Sequence, residues 1–253
     1  MSMQAWSLSV LLVAVCCSVV VVAEVELVPG TRPLNSLDPV QYKDCGHLHK
    51  AGYTVSGQHV LYMNKTTPFL IRCEFTKDNA FNVIQRRIDG SVNFAAPLAS
   101  YVSGFGSVQG DYWGGLNAIN YLTMQQGNRV LTIQMQDWSG TNQNVRYQDF
   151  RVLPQDNRYQ MFVSGYSGTL PDDFSYHNGM TFQTYDYPDQ NKCAVNMRAG
   201  WWYNYCAYVL LNGHYYNGGH YTPTSGFYDG IYYKDWNGYG YSLKFVSMVV
   251  SST

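Results

Sequence analysis

A chain of 253 residues fits one large domain or two small ones, and a formal charge of −1 gives no electrostatic pull toward nucleic acid or an acidic membrane surface. Charged residues reach only 13% while aromatics make up 16%, with 23 tyrosines. That balance favours surfaces built from ring faces and hydroxyls over ion pairs.

Leu8 to Ala23, "LSVLLVAVCCSVVVVA", is an apolar run of signal-peptide length that ends in small residues before Glu24. It predicts a cleaved signal over residues 1–23 and a secreted, extracellular mature chain; because "MSMQAWS" lacks Lys and Arg, an uncleaved anchor is the alternative. No second run of spanning length follows, so membrane insertion of the mature chain is not expected. Cleavage removes Cys16 and Cys17 and leaves Cys45, Cys73, Cys193 and Cys206, an even count that suits an oxidising compartment. Four cysteines allow three pairings; the nearest-neighbour one closes loops worth about 3 to 4 kcal/mol each. Asn64-Lys65-Thr66 is the one N-glycosylation sequon.

Residues 24–43 carry three prolines and no periodicity, and read as an extended leader before a domain over 44–253. "HVLYM" (59–63), "FLIRCEF" (69–75) and "FNVIQRRI" (81–88) predict strands, and "LNAINYLTM" (116–124) predicts a helix with Leu116, Ile119 and Leu122 on one face. Strand patterns return at 129–138, 159–168 and 241–250, whereas the stretch after Gly168 is dominated by turn residues, glycines and tyrosines. Without βαβ alternation, the mixture predicts an α+β fold with an antiparallel sheet and a loop-built last third. No heptads or Gly-X-Y run offers a coiled-coil or collagen stalk for oligomerisation.

Motifs for catalysis are missing: there is no G-x-S-x-G, H-E-x-x-H or P-loop lysine, and the glycines of "GFGSVQG" (104–110) are wrongly spaced for a dinucleotide. Cys206 with His214 suggests a thiol nucleophile and its base, but a disulfide is the stronger reading for this cysteine. His214 and His220 lack a third metal ligand and read as surface histidines. An enzyme is not expected. The run from Asp186 to Asn191 clusters carboxylates and amides in a turn, as a hard oxygen site for Ca²⁺ requires, with Asp186 and Asp189 as the ligands; a solvated acidic turn is the alternative.

"VIQRRIDGSVNF" (83–94), "YVSGFG" (101–106), "GDYWGGLNAINYLT" (110–123), "GWWYNYC" (200–206), "LNGHYY" (211–216) and "YSLKFVSM" (241–248) together resemble the fibrinogen C-terminal domain, from about Asp44 to Met248. The resemblance implies a small N-terminal part, a central twisted antiparallel sheet and a loop-rich C-terminal part holding a calcium site and a ligand pocket. It also implies the pairs Cys45–Cys73 and Cys193–Cys206, and a cis peptide bond at Tyr205-Cys206 that turns the Cys206 amide toward a ligand. Trp201, Trp202 and Tyr203 would then wedge the loop against the sheet; for the two tryptophans, plain core packing is the favoured reading.

Carried over from sugar-binding relatives such as ficolins and tachylectins, the pocket falls on Met197, Tyr203, Tyr205, Cys206, Ala207, Phe227 and Tyr228. Met197 and Ala207 stand where those relatives have a tyrosine and a histidine, Phe227 replaces another tyrosine, and Tyr228 a small residue. The calcium loop is shortened, with Asp186 only seven residues before Cys193 and Pro188 at a carboxylate's place. The sequence thus predicts a secreted, lectin-like recognition protein of innate defence that binds glycans or microbial surfaces. Its alternative is an extracellular ligand or matrix component, like angiopoietins or tenascins, that binds proteins without sugar.

Overall fold

The computed structural model describes residues 41–125, 129–223 and 226–252. The expected signal peptide and the leader as far as residue 40 lie outside them. Gln41 and Tyr42 already belong to the domain: Gln41 Nε2 donates to the Lys65 carbonyl, and the Tyr42 carbonyl accepts from the Tyr62 amide.

The N-terminal part begins with α1 (Cys45–Lys50), capped by the Asp44 carboxylate, which accepts the His47 N–H at 2.8 Å. A hairpin of β1 (Gly57–Asn64) and β2 (Thr67–Phe75) follows, then β3 (Ala80–Arg87). The Cys45–Cys73 disulfide ties α1 to β2, and buried Asn82 accepts from the Cys45 amide while donating to Val250 O. The sequon occupies the hairpin turn, where Asn64 Oδ1 accepts from the amide and hydroxyl of Thr66.

Further along come α2 (Leu98–Ser103), β4 (Phe105–Gly106), β5 (Tyr112–Trp113), α3 (Leu116–Met124), β6 (Arg129–Gln136), β7 (Asn142–Val152) and β8 (Met161–Gly168). The last third holds only short elements, α4 (Cys193–Met197), β9 (Val209–Leu210), β10 (Tyr232–Tyr233) and α5 (Lys234–Asn237), before β11 (Phe245–Ser252). The main sheet runs β1-β2-β3-β11-β6-β7-β8, with β5 joining β3 and β4 joining β5, and its strand pairs are antiparallel. The α+β expectation, with an antiparallel sheet, a loop-rich C-terminal part and two disulfides, therefore holds.

The last strand is central. β11 lies between β3 and β6 and is buried on both faces, Val246, Met248 and Val250 on one and Ser247 and Val249 on the other, which accounts for its near-continuous apolar run. The predicted helix is α3 with its expected bounds; Leu116, Ile119 and Leu122 are buried, and Asn120 and Thr123 hydrogen-bond the backbone of Val152 at the end of β7.

Two differences have local causes. β7 had no sequence signal, because its buried positions change phase from Val145 and Tyr147 to Phe150 and Val152, opposite Gly165 at φ +70°. Strict alternation is broken there, and the glycine is required: a Cβ at position 165 would lie 2.7 Å from Gln148 Cβ. β8 starts at Met161 rather than 159 because Arg158 and Tyr159 are both left-handed, at φ 54° and 51°.

Several residues of the family-like motifs build the frame. Arg87 and Asp111 form a buried ion pair at 3.1 Å; Asp111 Oδ1 also accepts from the amides of Ile88 and Asp89, and the Arg87 guanidinium lies 3.9 Å from the Phe94 ring centroid.

Candidate functional site

The loop-rich part is organised by the turn that closes on α4. Cys193 and Cys206 are disulfide-bonded with Cα atoms 5.1 Å apart. Cys206 is thereby unavailable as a free nucleophile for His214. The described residues contain no cis peptide bond, so the expected cis Tyr205-Cys206 is corrected: the turn is made by two consecutive left-handed residues, Tyr205 at φ 46° and Cys206 at φ 51°. Such a conformation costs about 1 to 2 kcal/mol per residue, so it needs outside support. The Cys206 amide faces the bridge, donating to Cys193 Sγ at 3.2 Å, and is not turned toward a ligand.

That support comes from behind the turn. His177 Nδ1 lies 2.7 Å from Trp202 O, and its Nε2 accepts from the Val209 amide at 3.2 Å, so the ring clamps the loop on both sides of Cys206. Because an amide can only donate, the proton sits on Nδ1. Complete burial lowers the pKa of His177 to about 4, against the weaker opposing effect of its two backbone partners, and keeps it neutral. Gln183 pairs with Trp201 through both backbone hydrogen bonds, and Asn204 Nδ2 donates to Tyr176 O.

The tryptophans are core. Trp201 and Trp202 are fully buried with centroids 5.3 Å apart, and Trp202 packs on Phe182 and donates Nε1 to Tyr159 O. Apart from Cys206, the expected pocket residues divide into two groups. Met197, Tyr203 and Ala207 are buried, with the Tyr203 hydroxyl spent on Ala199 O. Tyr205, Phe227 and Tyr228 are 82%, 42% and 44% exposed, and Val195 on α4 adds a further exposed apolar side chain. The two ends of this face are connected: Tyr232 donates to Ala207 O and packs on Tyr239, which stacks with Tyr228. Tyr228 also meets Tyr221, stacked in turn on Tyr216 at 4.0 Å.

At the expected calcium turn, Asp186 Oδ1 accepts from the Leu98 amide and the Thr184 hydroxyl, and Asp189 Oδ2 accepts from the Val195 amide. Asp189 Oδ1 is buried without a hydrogen-bond partner, an oxygen of the kind a hard cation takes. Among the described residues no group of three or more metal-ligating side chains forms, so carbonyls of the turn and water would complete any shell. His214 and His220 pack on Tyr216 and Tyr241 respectively.

Sequence reasoning missed His177, Arg198 and Asp229. Arg198, left-handed at φ 52°, donates Nε to buried Asp229 at 2.6 Å and forms an ion pair through Nη2, while Tyr216 bonds both. Their positions lie 31 residues apart and carry no spacing signal.

Residues 41–253 match the family described as fibrinogen beta and gamma chains, C-terminal globular domain. The chain belongs to the fibrinogen C-terminal domain family. Mouse angiopoietin-related protein 6 is 36% identical over 85% of this chain and 46% of its own length; bovine angiopoietin-related protein 1 is 39% identical over 86% and 45%. This chain therefore spans under half the length of these curated relatives. Among solved structures, the fibrinogen-like globe domain of human ANGPTL6 superposes with a TM-score of 0.77 at 33% identity, covering 86% of this chain and 99% of that domain. Lamprey fibrin D-dimer, complexed with the peptide Gly-His-Arg-Pro-amide, gives a TM-score of 0.77 at 32% identity over 86% and 76%. No helix among the described residues is long and apolar enough to cross a membrane.

Proposed function

We propose that this fibrinogen C-terminal domain is an extracellular protein-binding module whose contact face is built on the turn closed by Cys193–Cys206. The observation that carries this reading is the division of the pocket residues. Polar handles for an acetyl group are replaced by buried Met197 and Ala207, while Tyr205, Phe227, Tyr228 and Val195 are exposed. Exposed rings on a rigid support suit a protein interface, where tyrosines are common anchors. Likeness to angiopoietin-related proteins supports the same side, and two disulfides suit the extracellular setting.

The lectin-like reading, with glycans or microbial surfaces as ligands, has less support because each lost hydroxyl or imidazole removes about 1 kcal/mol of polar recognition. Ca²⁺ at the Asp186–Asp189 turn is proposed as a support for α4 rather than a ligand contact, resting on the unpartnered Asp189 oxygen. A multivalent display of folded protein on beads carrying N-acetylated sugars decides between the readings. No retention, with calcium or chelator, agrees with the protein-binding module; retention released by free acetylated sugar returns the domain to the lectins.

A further inference from the structure

Away from the Tyr205 turn, the loop over residues 90–95, Arg198 and the segment 213–215 enclose a cavity of about 360 Å³, within the range of small-ligand sites. Its wall holds two guanidinium groups, and no aspartate or glutamate lines it. Arg87 is buried, with Nε on Asp111 and Nη1 donating to Gly213 O at 2.5 Å, and its Nη2 donates to nothing among the described residues. Arg198 commits Nε and Nη2 to Asp229 and Tyr216, which leaves Nη1 without a partner among the described residues. The balancing carboxylates, Asp111 and Asp229, are buried and stand outside the wall, so both arginines are held in place with donors to spare. Asn93 spends Oδ1 on the Ala95 amide, leaving its NH₂ group, and the His214 ring makes no hydrogen bond among the described residues.

The unspent polar groups of the arginines and Asn93 are thus all donors, and Phe94, Val92 and Ala95 supply an apolar side. We propose that this cavity receives the carboxylate of an aspartate or glutamate side chain from a partner protein, a partner class that rests on the protein-binding reading above. A planar carboxylate accepts from a guanidinium fork through both oxygens, and its short methylene stem suits the apolar side. A sugar acid would instead set hydroxyls against the apolar side formed by Val92, Phe94 and Ala95, with only the Ser91 hydroxyl and the His214 ring to accept from them. Arg198 directly follows α4, the helix that carries exposed Val195, so cavity and contact face meet at one element.

The test is an NMR titration of the purified full chain, disulfides intact, reading the His214 ring signals. The probe is N-acetylglutamate amide, beside its glutamine counterpart and glucuronate. The glutamate probe is expected to saturate at millimolar concentration and the glutamine probe to cause no saturable shift. Asn93→Asp keeps an acceptor for the Ala95 amide while adding a negative charge, and should weaken glutamate binding about tenfold or more. Arg198→Lys keeps a cation for Asp229 and should weaken it as well. Equal responses to glutamate and glutamine, or undiminished binding by a folded Asn93→Asp variant, would overturn the carboxylate site. Tighter binding of glucuronate than of the glutamate probe would overturn the side-chain assignment in favour of a sugar acid. These outcomes leave the Tyr205 face untouched, since its binding is read in a separate assay.

Discussion

His177 holds Trp202 by a 2.7 Å hydrogen bond from Nδ1 to the tryptophan carbonyl and accepts the Val209 amide on its other nitrogen. Protonation of the ring would break the second bond and bury a charge among Phe174, Tyr176 and Trp201. Its folded pKa of about 4 lies below the unfolded value of 6.5, so the unfolded chain binds the proton first as pH falls. The stabilisation from a neutral His177 is complete above pH 6.5 and is lost progressively toward pH 4, by about 3 kcal/mol in all. Asp173, raised to about 6 chiefly by burial, acts in the opposite direction over an overlapping range. The diagnostic is therefore the difference in urea midpoint between wild type and His177→Gln: it should narrow as pH falls from 6.5 to 4. A constant difference would remove the titration argument.

The buried Arg87–Asp111 pair should be costly to break from one side. Asp111→Asn leaves the Arg87 charge buried without its counter-ion, and about 3 to 5 kcal/mol of stability should go in urea unfolding. Arg87→Met combined with Asp111→Asn should cost less than the two single losses added together, because neither member is then an uncompensated charge.

Removing the late disulfide as Cys193→Ser with Cys206→Ser should lower stability by about 3 kcal/mol, or roughly 6 to 12 °C in Tm. The early pair spans 28 residues against 13, and its removal should cost slightly more. Only loss of the late pair should release the left-handed Tyr205 and Cys206, so hydrogen exchange at the 204–207 amides should rise in that variant alone.

Addition of Ca²⁺ should raise Tm if Asp189 Oδ1 takes the cation, by an amount that grows with the logarithm of calcium concentration. Asp189→Asn should abolish the rise. A Tm that does not move with calcium or chelator would remove the cation from the account.

The sheet was legible where one face alternates or a strand is buried on both sides, as in β2, β3 and β11. It was not legible in β7, where the phase break opposite Gly165 hides the pattern. The motif resemblance also gave the disulfide partners. It misjudged the Tyr205-Cys206 bond and the direction of the Cys206 amide, because the left-handed backbone there is chosen by tertiary contacts. His177 reaches Trp202 across 25 residues and Arg198 reaches Asp229 across 31, distances over which no periodicity operates. Whether an aromatic is core or contact depended on packing as well: Trp201 and Tyr205 lie four positions apart in one aromatic run, one buried and the other 82% exposed.

The most direct measurement of the central claim is binding of a multivalent display of the domain to intact cells of the source organism, before and after protease or glycosidase treatment, with Tyr205→Gly as the comparison. Glycine tolerates φ 46°, so this variant removes the ring while leaving stability within about 1 kcal/mol. The protein-binding account predicts that protease abolishes binding, that glycosidase leaves it, and that Tyr205→Gly weakens it by about tenfold or more. Binding lost to glycosidase, or unchanged by Tyr205→Gly in folded protein, would contradict it.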